Sequence, residues 1–133
     1  LTWSELDALR EHKKVSPFSG TTALLNSESQ AIWFSKQIIP AIKKEKREEK
    51  FSPVFKHIGI YGYKFDALAR YVKMPESEYE KIEELEQLRL LENGYKINIV
   101  KVSYNGRTPN AGIDSPEDLK IAEQIIASEG EFI

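Results

Sequence analysis

His57, Gly59, Tyr61 and Tyr63 recur at every second position in the stretch His57-Ile58-Gly59-Ile60-Tyr61-Gly62-Tyr63. In an extended strand, alternate side chains share a face. One face would then carry an imidazole and two phenols, with a gap at Gly59, and the other would carry Ile58 and Ile60. A glycine gap lets a ligand come close to the backbone, and the isoleucine face calls for a core. The same pattern is also compatible with a glycine bulge beside a histidine that is simply hydrogen-bonded.

Three further residues are out of place in a purely structural pattern. Residues 78–93 read as one helix, and at about 100° per residue its apolar stripe is Ile82 and Leu85, widened by Tyr79 and Leu90. Glu86 falls one turn after Ile82 and one turn before Leu90, inside that arc, and Gln87 falls at its margin. A carboxylate on a core-facing stripe is costly unless it is paired or hydrogen-bonded, although a helix this rich in Glu places acids at partly exposed margins without any function. Asp114 follows Gly112-Ile113 and precedes a helix start. There it either complements the helix dipole or ligates a hard cation such as Mg²⁺. An acid, an amide, a histidine and a tyrosine together supply the donors and acceptors that a polyol needs.

The elements that must position these groups read as follows. Residues 2–12 form a helix with Trp3, Leu6 and Leu9 on one face and Thr2 or Ser4 as its cap. Residues 21–25 and 30–35 are strands, and the turn residues Asn26-Ser27-Glu28-Ser29 make them a hairpin. The mixed-sign run 43–50 is a solvated helix or loop. A central strand covers 55–63, and a helix follows with Phe65, Leu68, Ala69 and Val72 on one face. Met74-Pro75 breaks it, Ser77 and Glu80 form a capping box for the helix 78–93, and Gly94 stops that helix. Residues 95–104 alternate as a strand, 105–112 are a loop, and Ser115-Pro116-Glu117-Asp118 opens a last helix that ends at Gly130. This order describes a single α/β domain over 1–133, one sheet with helices packed on it.

Bulk properties narrow the functions available. Of 133 residues, 41% are hydrophobic and 30% charged, which suits a globular protein. A net charge of -2 argues against nucleic-acid binding through a broad basic surface. With no cysteine and two histidines, disulfide, thiolate-metal and multi-histidine sites are excluded. The cysteine-free composition fits a cytoplasmic protein, and no apolar run is long enough to span a bilayer. The first residues, Leu1-Thr2-Trp3, show neither an initiator methionine nor a signal-peptide pattern, and suggest a piece of a longer chain. No Gly-rich phosphate loop and no nucleophile-histidine-acid triad is readable.

Four ordered stretches carry a more specific signal: Ala31-Ile32-Trp33-Phe34-Ser35-Lys36-Gln37-Ile38-Ile39-Pro40, His57 to Tyr63, Glu83-Glu84-Leu85-Glu86-Gln87-Leu88-Arg89, and Gly112-Ile113-Asp114-Ser115-Pro116-Glu117-Asp118-Leu119. In this order they resemble the C-terminal half of the 3-deoxy-manno-octulosonate (Kdo) cytidylyltransferases, the CMP-Kdo synthetases. The resemblance implies a nucleotide-diphospho-sugar-transferase-like α/β fold, of which this is the C-terminal portion. It also implies a cytoplasmic, usually dimeric enzyme of lipopolysaccharide synthesis that joins CTP and Kdo with Mg²⁺, giving CMP-Kdo and pyrophosphate. Related enzymes use other acid sugars, 8-amino-Kdo or sialic acid, and a non-catalytic dimerisation or binding fragment is a further alternative. On this resemblance His57 and Tyr61 bind sugar, Glu86 and Gln87 contact its hydroxyls, and Asp114 is the catalytic metal ligand. Two departures stand out. Lys36 replaces an arginine common in the family, which removes a bidentate donor. The family's N-terminal half, with its triphosphate loop, cytosine contacts and other metal aspartate, has no counterpart here, so the piece alone is expected to be inactive.

Overall fold

The computed structural model describes residues 1–103 and 116–130. The chain divides into two compact units, Leu1–Val100 and Lys101–Ile133. The first unit opens with helix α1 (Trp3–Val15), capped by Thr2, one of the two expected caps, in a capping box with Glu5. Thr2 Oγ1 accepts from the Glu5 amide at 3.3 Å, and the Glu5 carboxylate accepts from the Thr2 amide at 2.6 Å. Two amides that a helix start leaves unpaired are thereby satisfied. Trp3, Leu6 and Leu9 are its buried face, and Trp3 and Leu6 pack with Val54, Leu1, Ile38 and Ile42.

Strands β1 (Thr22–Leu25) and β2 (Ala31–Ser35) form the expected antiparallel hairpin, with Ala23 opposite Phe34 and Leu24 opposite Trp33. Its connection is organised by Asn26, whose Oδ1 accepts from the amides of Glu28 and Gln30 at 2.9 Å each, a side-chain imitation of a backbone turn. Strand β3 (Phe55–Lys56) adds on the other side of β1, giving the antiparallel order β2-β1-β3. The main core is Ala23, Phe34, Leu85 and Leu88, flanked by Leu25, Ala31, Trp33, Leu91, Ile97 and Ile99. Burying the Phe34 side chain, 1% exposed, contributes about 2–3 kcal/mol.

The central strand expected over 55–63 is only two residues long. Phe55 and Lys56 pair with Ala23 and Thr22, and the His57 amide donates to the Thr21 carbonyl at 2.9 Å. The next partner in that register is Gly20, whose φ of +73° takes it out of the extended region, and on the other side Gly59 does the same at +77°. The pairing runs out of partner backbone in both chains. Ile58 and Ile60 consequently find no core and are exposed.

The strand expected over 95–104 shrinks to one bridge, Asn98 opposite Gln30. Two backbone bonds hold it, from the Ala31 amide to the Ile97 carbonyl and from the Ile99 amide to the Ser29 carbonyl. Gly94 at φ +76° limits it at one end, and the hairpin turn with Ser29 at φ +58° limits its partner at the other.

Helix α2 (Phe65–Tyr71) forms where expected but buries no residue. Phe65 and Val72, assigned to its core face, are exposed because nothing among the described residues packs on them. The single helix expected over 78–93 is broken into α3 (Glu78–Glu83) and α4 (Leu88–Glu92), with Glu84 left-handed at φ 48°, ψ 49°. Tertiary contacts outweigh helix propensity here. Glu83 accepts from Ser35 Oγ and from the Lys36 amide, both at 2.8 Å, and Leu85 and Leu88 swing under the sheet. The break reverses the expected burial: Ile82 and Glu86 are exposed, and Gln87 is buried. The mixed-sign run 43–50 is a loop without helix, as one of its two readings had it. The second unit contributes helix α5 (Pro116–Glu129), stopped by Gly130 at φ +82°. No described helix is long and apolar enough to cross a membrane.

Candidate functional site

His57 leaves the end of β3 with its ring edge-on to Phe34, centroids 5.2 Å apart. The left-handed turn at Gly59 folds the following chain back, and Tyr61 reaches the same ring: its hydroxyl lies 2.6 Å from His57 Nε2. On a strand, residues four apart would be separated by about 13 Å. The contact between these two expected site residues thus depends on the strand having ended. Gly59 is required here for its φ and not for space, since an added Cβ would meet His57 Cε1 at an ordinary 3.8 Å.

From Tyr61 a column of tilted rings runs outward. Tyr61 and Tyr63 are 6.2 Å apart between centroids, and Tyr63 and Tyr71 are 5.9 Å apart. Tyr71, at the end of α2, donates from its hydroxyl to the backbone carbonyl of Glu86 at 3.3 Å. Loop, helix α2 and the α3–α4 corner are joined there. The Glu86 carboxylate is exposed but close enough for its charge to act on His57, Tyr61, Tyr63 and Tyr71.

Burial lowers the His57 pKa, opposed by the Glu86 charge. Burial raises the Tyr61 pKa, helped by Tyr63, Glu86 and Tyr71, and it raises that of Tyr63, again with Glu86. At neutral pH the pair is therefore a neutral imidazole and a neutral phenol. A phenol that donates to Nε2 leaves Nδ1–H as an outward donor and its own oxygen as an acceptor. In the other tautomer Nε2–H donates, and Nδ1 is left as an acceptor. Either arrangement offers uncharged hydrogen-bonding atoms of both kinds. Next to Glu86 in the chain, Gln87 is 2% exposed and its Nε2 has no hydrogen-bond partner among the described residues. A buried amide left without a partner is a costly feature.

The structure thus brings His57, Tyr61 and Glu86 into one neighbourhood and buries Gln87 beside Glu86 in sequence. Asp114 lies outside the described residues. Among the described residues no group of three or more His, Cys, Asp or Glu could hold a metal ion. Lys36, where the family resemblance has arginine, pairs through Nζ with Glu84 at 2.9 Å. It lines a cavity of about 400 Å³ with Phe18, Gln37, Ile82, Glu83 and Glu84, and none of the expected site residues borders that cavity. Sequence reasoning missed Tyr71 and Arg89, whose guanidinium stands 4.7 Å over the Tyr71 ring. The recurrence of tyrosine at 61, 63 and 71 is the signal in the sequence that points to Tyr71.

The small antiparallel sheet with flanking helices matches a nucleotidyltransferase-like α/β fold, as the superposition on a solved cytidylyl-transferring synthetase shows. A family model described as cytidylyltransferase matches residues 4–97, and the chain belongs to that family. It is 41% identical over 125 residues to the 3-deoxy-manno-octulosonate cytidylyltransferase of Maricaulis maris, covering 94% of this chain and 47% of the relative. The enzyme of the same name from Fusobacterium nucleatum is 45% identical over 96 residues, 72% of this chain and 35% of the relative. Among solved structures, CMP:2-keto-3-deoxy-manno-octonic acid synthetase complexed with CTP superposes with a TM-score of 0.69 at 27% identity. That match covers 95% of this chain and 56% of the other. The chain spans about half the length of the curated relatives it matches.

Proposed function

We propose that this chain is the C-terminal, sugar-binding part of a 3-deoxy-manno-octulosonate cytidylyltransferase, which transfers CMP from CTP to Kdo for lipopolysaccharide synthesis. The observation that carries the reading is the His57–Tyr61 hydrogen bond formed beside Glu86. Its support is that two uncharged hydrogen-bonding groups and one carboxylate, with a buried amide next in sequence, match the hydroxyls of an acid sugar. In the reaction the anomeric hydroxyl of Kdo attacks the α-phosphorus of CTP. A bond forms between that oxygen and phosphorus, the bond to the β-phosphate oxygen breaks, and pyrophosphate leaves.

His57 and Tyr61 act in this scheme by holding the sugar hydroxyls in a fixed orientation, a contribution that can be large. Glu86 completes the cradle by accepting from hydroxyls, and the resemblance adds Gln87, whose buried and unpartnered amide would have to be uncovered to donate. The reading includes Mg²⁺, which when bound neutralises phosphate charge, with Asp114 as its one ligand from this chain. The described residues supply no donor set for it, so no step is routed through the metal. It further includes a cytoplasmic homodimer, as the resemblance to the family implies.

The test is pyrophosphate release from CTP, Mg²⁺ and Kdo by a form of this chain carrying the N-terminal half of the Maricaulis maris relative fused at residue 1. Kdo-dependent release that Asp114→Ala abolishes and Glu86→Ala weakens is expected. Equal or better turnover of sialic acid would reassign the sugar, and release with no acid sugar would sink the reading.

A further inference from the structure

Arg89 commits all three of its guanidinium nitrogens and one face of its plane to the protein itself. Its Nε donates to Glu80 Oε2 at 2.7 Å and its Nη2 to Glu80 Oε1, a bidentate ion pair of two largely buried side chains. Nη1 donates to the Met74 carbonyl at 3.2 Å, and the flat face of the guanidinium covers Tyr71. Glu80 is in turn fixed by the amide of Ser77 at 3.0 Å. A planar cation held on its edges by a carboxylate and a carbonyl can only lie one way on an aromatic face.

Tyr71 is therefore clamped, and it touches two parts of the sugar site. Its hydroxyl fixes the Glu86 carbonyl, and its ring ends the column that runs through Tyr63 to Tyr61 and His57. We infer that Arg89 and Tyr71 are positioning residues for acid-sugar recognition. Through them the α3–α4 corner sets where the Glu86 carboxylate and the Tyr61 hydroxyl stand relative to each other. The inference rests on the proposed function for the identity of the ligand, but not for the geometry. Neither residue touches the sugar in this scheme. Lysine at position 89 would keep the charge and lose both the fork and the stack. Phenylalanine at position 71 would keep the ring and lose the tie to Glu86.

Two readouts on the 133-residue chain decide the matter. The first is the ¹⁵N spectrum of the imidazoles in the free protein, where the two histidines of the sequence give an internal control. Arg89→Lys and Tyr71→Phe are expected to move the His57 Nε2 signal toward that of a solvated ring. His12, bonded to Ser19 at 2.9 Å, should stay in place. The second is calorimetric titration with Kdo, where each variant is expected to lose about threefold to tenfold in affinity. Thr2→Ala, which weakens α1 at its cap, serves as a destabilised control and should move neither readout. If His57 and the Kdo affinity are unchanged in both variants while the melting temperature falls as in the control, the two residues are merely structural and the inference is overturned. If the wild-type chain does not bind Kdo, the calorimetry is repeated on the fused form, whose failure to bind would count against the functional reading, and the histidine signal alone then decides this one.

Discussion

The neutrality of His57 has a consequence that a pH titration can read. Burial holds its folded pKa below the unfolded value of about 6.5, so the unfolded chain binds the proton more tightly. Stability attached to this residue is therefore fully present above pH 6.5 and is lost as pH falls through the folded value. His57→Gln is expected to flatten that part of the profile: the melting-temperature difference between wild type and variant should narrow or change sign between pH 7.5 and pH 5. An unchanged difference across that range would mean that the ring is not held neutral. Tyr61→Phe tests the partner. It removes the hydroxyl 2.6 Å from Nε2, and is expected to raise the His57 pKa, followed by NMR, by admitting water to a ring the phenol now covers. At this scale the sequence was informative. His57, Tyr61 and Glu86 were singled out by type and spacing, and the fold brings them together. The reason given for Glu86 was wrong, however, since it lies in an exposed corner and Gln87 takes the buried position.

Elements were legible wherever local chemistry decides. The cap at Thr2, the Asn26 turn and the stop at Gly94 all follow from residues acting on their own stretch of backbone. Lengths were not legible where a partner decides. β3 stops because its partner chain leaves the extended region at Gly20, just before β1, and the helix over 78–93 breaks because Glu83 is captured by the edge of β2. Nothing in a hydrophobic period reports either event. The break at Glu84 leads to a stability prediction. A non-glycine residue at φ 48° is strained, and the Glu84 carboxylate is well exposed although its partner Lys36 is mostly buried, so Glu84→Gly is expected to raise the melting temperature by about 2–4 °C. A fall by that amount would show that the Lys36 pair outweighs the backbone strain. Leu88→Ala probes the other side of the same corner. Leu88 is fully buried against Phe34 and Ala23, and its truncation is expected to cost about 2–5 kcal/mol in denaturant unfolding. A cost under 1 kcal/mol would mean that the corner collapses to fill the space.

At the scale of the molecule, sugar recognition and turnover should separate. The His57–Tyr61 pair and Glu86 belong to one unit of this chain. The sequence shows no Gly-rich loop to cradle a triphosphate, and the chain spans about half of the relatives whose whole length carries the activity in their name. Ile60 and Phe65, 87% and 83% exposed, flank Tyr61 and Tyr63 in sequence and were patterned for burial. The expected outcome is a chain that binds Kdo measurably in calorimetry, with Glu86→Ala lowering the affinity about tenfold, and that releases no pyrophosphate from CTP. The fused form should bind Kdo with the same Glu86 dependence and turn over. Turnover by the 133-residue chain alone would place a nucleotide site within it, contrary to the reading of the 43–50 run as a solvated loop. Kdo binding that appears only in the fused form would show that the sugar cradle is completed across the two halves, and that the contacts between His57, Tyr61 and Glu86 are necessary for recognition without being sufficient.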